Sequence, residues 1–322
     1  MRTRRWITKL AFLLMGAIVA AACGQPAGRA GEPRSARLQA VAGFYPLQEV
    51  LQEVGGDRVE VTNLVPAGAE PHDIELSPRE IERVRQARLL VYIGAGFQPG
   101  LEKTVQALRT PSLTALDVAQ DMFLLEGTEE EDDENAAHET VVSDRPARQD
   151  PHVWLDPLSM KDIAAKVRDA LVAIDADGRE IFNANASRYQ AQFDALDQEY
   201  RAGLQRCARR EVVTSHAAFQ YLTRRYGLEQ ISISGLSPEA EPSPQRLRDV
   251  TSIAREHGAR VIYFETLVDP RVAETIAREV GARTMVLNPI EGLTPEEQRQ
   301  GKRYADLMRE NLANLQAGLD CA

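Results

Sequence analysis

The chain has 322 residues, of which 43% are hydrophobic and 27% charged, enough for one large or two medium globular domains with their own cores. A formal net charge of −10 and an isoelectric point near 5.2 argue against a nucleic-acid partner and leave an acidic surface that suits solubility and draws cations.

Residues 1–22 read as a secretory signal. Arg2, Arg4, Arg5 and Lys9 form a basic start, and Leu10 to Ala22 is an apolar run too short to span a bilayer comfortably. The run ends at Ala20, Ala21 and Ala22, just before Cys23 and Gly24. Small residues ahead of a cysteine resemble a bacterial lipoprotein cleavage site, with Cys23 as the lipidated N-terminus. A conventional cleavage nearby, leaving a soluble exported protein, stays open. Residues 23–36 are rich in Gly, Pro and Ala without apolar period, and predict a flexible tether.

Next come short apolar or β-branched runs at 38–44, 59–65 and 88–94, which predict strands. Helical patterns lie between them, and Ser77, Pro78 and Glu80 predict a capping box with proline in the first turn. The acidic, low-complexity segment 126–150 cannot bury a core and predicts a mobile surface loop. It is either a solvated insertion or a weak cation trap with His138 as its only imidazole.

After Pro157, apolar residues recur at Met160, Ile163, Ala164, Val167, Leu171 and Ile174. A second run, Phe182, Ala186, Tyr189, Phe193, Leu196, Tyr200 and Leu204, covers about seven turns, or roughly 40 Å. It reads as a rigid connecting helix that limits how far two lobes can swing. Four further strands are predicted at 211–216, 229–235, 260–266 and 283–289, and Thr294, Pro295 and Glu297 form a second capping box. The alternation predicts an α/β fold with parallel sheets. The expected domains are a signal at 1–22, a tether at 23–36, an N-terminal lobe at 37–176, a connecting helix at 177–206 and a C-terminal lobe at 207–322. With Cys23 assigned to lipid, Cys207 and Cys321 remain as a pair in an oxidising compartment. A disulfide tying the C-terminus to the start of the second half is expected, with two separate thiols as the alternative.

There are five histidines. His257 precedes Gly258 near a helix end, where an imidazole suits the helix C-terminus. His72, His152 and His216 share another placement, in strand-to-helix connections, and Glu291 sits in the same kind of place. Ligand clefts of parallel α/β sheets form at the carboxyl ends of strands. These four residues are far apart in the chain, so a site would assemble from both halves, in an interdomain cleft. Three imidazoles and one carboxylate suit tetrahedral Zn²⁺, whereas Mn²⁺ prefers more oxygen; affinity alone does not exclude Cu²⁺ or Ni²⁺.

PHDIELSP, DPHVWLDP, TSHAAFQYL, GLSPEAEPSP and LNPIEGLTPEE resemble the substrate-binding lipoproteins of zinc ABC transporters. That metal-binding (cluster A-I) group also holds manganese-binding relatives, and the resemblance runs from about residue 38 to 320. It implies two (β/α)4 lobes joined by a long backbone helix, with one metal between them. It also implies His72, His152 and His216 as ligands. Glu291 stands where relatives present Glu or Asp; others use water or a carboxylate just before the first histidine, a position held here by Pro71. One departure is the acidic loop, where many zinc-binding members carry a histidine-rich one.

The function implied is capture of Zn²⁺ outside the cytoplasmic membrane and delivery to an ABC permease, without enzymatic chemistry. The expected partners are that permease and, through the lipid, the membrane; no nucleic acid is expected, and the chain would be a monomer. The alternatives are a manganese-binding member of the same group, a zinc-dependent hydrolase and a surface adhesin. A hydrolase needs an open coordination position, which four protein ligands would close.

Overall fold

Runs short enough for strands alternate with amphipathic runs long enough for helices, and the chain carries out that alternation twice. The computed structural model describes residues 37–108, 110–127, 148–238 and 242–322. The signal, the tether with Cys23, and residues 128–147 of the acidic segment, which include His138, lie outside the described residues.

The first half contains β1 (Leu38–Ala42), α1 (Tyr45–Gly55), β2 (Val59–Asn63), α2 (Pro78–Gln86), β3 (Leu89–Tyr92), α3 (Pro99–Ala107) and β4 (Thr114–Asp117). Two long helices follow, α4 (Pro157–Ile174) and α5 (Arg179–Leu204). The second half contains β5 (Glu211–Thr214), α6 (Gln220–Tyr226), β6 (Glu229–Ser232), α7 (Pro244–Glu256), β7 (Val261–Phe264), α8 (Arg271–Val280), β8 (Arg283–Val286), α9 (Pro295–Gln300) and α10 (Tyr304–Gly318). Among the described residues no helix is long and apolar enough to cross a membrane.

Both sheets are parallel and have the same strand order, β2-β1-β3-β4 and β6-β5-β7-β8. In such a sheet the chain winds outward in opposite directions from the first strand. A crevice opens at the carboxyl ends of the strands where that reversal occurs, between β1 and β3 and between β5 and β7. The fold is therefore α/β, with two parallel-sheet lobes joined by a long helix.

Every strand expected from the sequence forms, and each ends two or three residues early. The apolar residues left over, such as Phe44, Ile93, Ile233 and Leu287, stay buried after leaving the sheet. They anchor the loops at the crevice. The eighth strand, β4, was not anticipated: its sequence TALD has one large aliphatic residue, and its side chains are exposed or half-buried at the sheet edge. Both capping boxes form, with Ser77 accepting from Glu80 N and Thr294 from Glu297 N.

The 26 residues of α5 span about 39 Å at 1.5 Å per residue. One face, Phe182, Ala186, Tyr189, Phe193, Leu196, Tyr200 and Leu204, is buried. It belongs to a single apolar cluster that also contains Phe44 and Trp154 from the first half and Phe219, Ile290 and Tyr304 from the second. The two lobes thus share one core along α5. Smaller clusters cover the outer sheet faces, one with Val41, Val84 and Leu101, the other with Val213, Val250 and Ile276. A disulfide joins Cys207 to Cys321, pinning the end of α10 beside the start of the second sheet.

Candidate metal centre

Three of the four implicated side chains sit where a strand has ended and a helix has not yet begun. His72 lies between β2 and α2, His216 just beyond β5, and Glu291 between β8 and α9. His152 precedes a single 3-10 turn, Val153–Leu155, that leads into α4. There the Asp156 side chain accepts from Leu158 N, and Pro157 opens the helix.

The fold brings all four together in a buried cluster: His72 is 6% exposed, His152 and His216 0%, and Glu291 1%. Glu291 Oε1 lies 3.4 Å from His72 Nε2, 3.5 Å from His152 Nε2 and 3.4 Å from His216 Nε2. The Nε2 atoms of His152 and His216 are 3.3 Å apart. A tetrahedral zinc ion with bonds of about 2.0–2.1 Å sets its ligand atoms roughly 3.3–3.4 Å from one another. Four edges of the cluster therefore have the length that zinc requires. Glu291 Oε2 is buried and has no hydrogen-bond partner among the described residues, an arrangement that a cation would satisfy.

Two of the imidazoles are set by carboxylates behind them. His152 Nδ1 is 2.7 Å from Asp150 Oδ1, which also accepts from His152 N at 2.9 Å. His216 Nδ1 is 2.7 Å from Glu265 Oε1, which accepts from His216 N at 3.1 Å. Each carboxylate oxygen thereby holds both ring and main chain, places the proton on Nδ1, and leaves Nε2 as the atom that faces the centre of the cluster. His72 differs. Its main-chain N–H donates to Glu70 Oε1 at 3.1 Å, and its ring meets Phe97 edge-on at 4.6 Å.

The electrostatics follow from these neighbours. Burial lowers the His72 pKa, and Glu291 only partly offsets that effect. For His152 burial acts the same way, but Asp150 and Glu291 outweigh it and the pKa is raised. For His216 burial is overcome by Glu265 and Glu291, and the pKa stands well above its usual value. Burial would raise Glu291, yet the three histidines hold it well below the normal carboxylate range. Burial, and then the charge of Glu291, push Glu70 up to about 9. The cluster favours positive charge at its centre.

Glu291 is aimed by a strained turn. Ile290 has φ 58°, a left-handed conformation that costs a β-branched residue roughly 1–3 kcal/mol. Surrounding bonds hold it there. Ile290 N donates to Asn288 Oδ1 at 2.8 Å, and Asn288 is itself clamped by Asn311 through bonds of 2.8 and 2.7 Å. Trp154 Nε1 donates to the Pro289 carbonyl at 2.7 Å, fastening the His152 segment to the Glu291 loop. Gly68, at φ 84°, donates to the Leu293 carbonyl at 2.8 Å and ties the His72 loop to that same loop.

Sequence reasoning passed over three residues here. Asp150 stands at the end of the acidic segment, just before Pro151, and its carboxylate backs His152. Glu265 follows β7 directly, so the strand-end placement that picked out His216 and Glu291 was a usable signal for it too. Glu70, two positions before His72, supports that loop. The other candidates lie elsewhere. His257 caps α7, 3.2 Å from Glu211 Oε1, and the Cys207–Cys321 disulfide is a separate feature at the C-terminus.

The family described as zinc-uptake complex component A, periplasmic (ZnuA), matches residues 40–318. The chain is 34% identical to the high-affinity zinc uptake system protein ZnuA of Bacillus subtilis over 303 residues, 94% of each chain. It is 37% identical to the zinc-binding lipoprotein AdcA of Streptococcus pneumoniae over 284 residues, 88% of this chain but only 56% of AdcA. Among solved structures, the Zn(II)-bound ZnuA-like domain of Streptococcus pneumoniae AdcA has a TM-score of 0.74 and 34% identity, covering 88% of this chain and 100% of that one. The laminin-binding protein Lmb of Streptococcus agalactiae, a bifunctional protein with adhesin and metal transporting activity, has a TM-score of 0.76 and 26% identity, with coverages of 88% of this chain and 100% of that one. With a match along nearly its whole folded length, the chain belongs to the ZnuA family of zinc-uptake component A proteins.

Proposed function

We propose that this protein is the extracytoplasmic solute-binding component of a zinc ABC transporter, with His72, His152, His216 and Glu291 as the ligands of the transported Zn²⁺. The observation that carries this reading is the buried cluster in which one carboxylate oxygen stands 3.4–3.5 Å from three imidazole nitrogens. That spacing and the nitrogen-rich donor set suit zinc better than manganese. The zinc-uptake names of its relatives support the same cargo. The ion is delivered to a membrane permease, with lobes at 37–176 and 207–322 on either side of a connecting segment at 177–206.

The leader at 1–22 directs export, and lipid on Cys23 tethers the folded part to the outer face of the cell membrane. Capture needs no chemistry on the ion, only tight coordination that can be released. Native mass spectrometry with metal analysis of the mature protein tests the reading. One bound Zn²⁺ that excess Mn²⁺ does not displace is expected; no metal, or selection of Mn²⁺, would overturn it.

A further inference from the structure

Gln220 and Tyr221 open α6 in the second half of the chain, yet both side chains reach residues of the first half. Tyr221 Oη donates to the Asp150 carbonyl at 2.7 Å and accepts from Leu125 N at 2.8 Å. The Gln220 amide, oriented so that its nitrogen faces acceptors, donates to Asp150 Oδ2 at 3.0 Å and to the Glu126 carbonyl at 3.2 Å. Asp150 is 1% exposed, and its two carboxylate oxygens are divided. Oδ1 takes the ring and main chain of His152, while Oδ2 takes Gln220.

We infer that Gln220 and Tyr221 are positioning residues for metal capture: from the opposite lobe they lock Asp150, which in turn fixes the tautomer and direction of His152. This rests on the proposed ligand set. A buried carboxylate held only by the histidine it serves could rotate with that ring. A second anchor removes the freedom, because rotation would break the bonds to Gln220 and leave buried polar groups unpaired. The anchor lies across the seam between lobes, so the His152 geometry is complete only while that seam is closed.

Zn²⁺ affinity, measured by competition with a chromophoric chelator, tests the relay. Groups that bond a ligand histidine directly change affinity by about 10–100-fold, so one step further out Gln220→Leu should weaken Zn²⁺ by about 5–10-fold and Tyr221→Phe by about 2–5-fold. In an Asp150→Ala background, Gln220→Leu should cost less than about 2-fold, because the route to His152 has been removed. Equal losses in both backgrounds, or none beside intact Asp150, overturn the inference and leave the zinc reading standing. A wild-type protein that binds no Zn²⁺ overturns both. Should Asp150→Ala not fold by circular dichroism, the visible spectrum of the Co²⁺-loaded Gln220→Leu protein decides. A changed ligand-field band supports the relay, and a band identical to wild type overturns it.

Discussion

His152 and His216 differ from His72 in what stands behind the ring. The first two each have Nδ1 2.7 Å from a buried carboxylate that also grips their own main chain. His72 has an aromatic edge beside its ring, and its main-chain N–H, but not the ring, is tied to Glu70. Two of the imidazoles are thus set in orientation and tautomer by their own neighbours, while the third is placed mainly by its loop. The same difference divides the charge: the two backed imidazoles hold protons more tightly than usual, and His72 less tightly. Orientation in this cluster comes from carboxylates outside the four clustered residues.

The largest test removes the proposed ligands themselves. Replacing His216 by alanine should weaken Zn²⁺ by more than the ~100-fold upper range for outer carboxylates. His72→Ala and Glu291→Ala should each cost less, as read by chelator competition. A His72 variant as damaged as the His216 variant would erase the distinction between backed and unbacked rings. Next in size, Glu265→Ala should reduce affinity about 10–100-fold while the His216 imidazole remains in place. An unchanged affinity would mean that packing alone orients the ring.

The pH dependence sharpens the contrast further. A raised histidine pKa in the metal-free protein means that a proton occupies the imidazole at higher pH, and Zn²⁺ must displace it. Affinity should therefore climb as pH rises through the region above 6.5, by up to about tenfold per pH unit for each proton released. Glu291, with its pKa held well below 4.5, is already ionised there and adds no slope. The His216→Ala protein should show a shallower climb than wild type, and His72→Ala should retain it. Isothermal titration in buffers of different ionisation enthalpy counts the protons directly.

Much of this was legible in the chain. Strand and helix alternation gave the α/β architecture, because periods of two and 3.6 residues are imposed by the backbone itself. Ser77 with Glu80 and Thr294 with Glu297 marked two helix starts, since a capping box is local chemistry. The clustering of His72, His152, His216 and Glu291 was expected from their placement and from resemblance, and the structure brings those side chains together. Strand ends were misjudged in one direction, because apolar residues such as Leu287 remain buried after the hydrogen-bonded ladder has stopped. Hydrophobicity reports burial, not strand pairing.

By itself, then, the sequence determined seven of the strands, both capping boxes, the parallel α/β class, and the residue kinds able to hold a divalent ion, whereas the strand order and β4 came from the fold. Only the tertiary structure decided which carboxylate backs which imidazole. Asp150 serves His152 from two residues away, but Glu265 reaches His216 across 49 positions, and Gln220 reaches Asp150 from the other lobe. The core continuous along α5 and the left-handed turn at Ile290 belong to the same class. Periodicity and capping are local, set within a few bonds of the residue concerned. A buried hydrogen bond between distant segments exists only once packing has brought both partners out of water, and no local pattern records it.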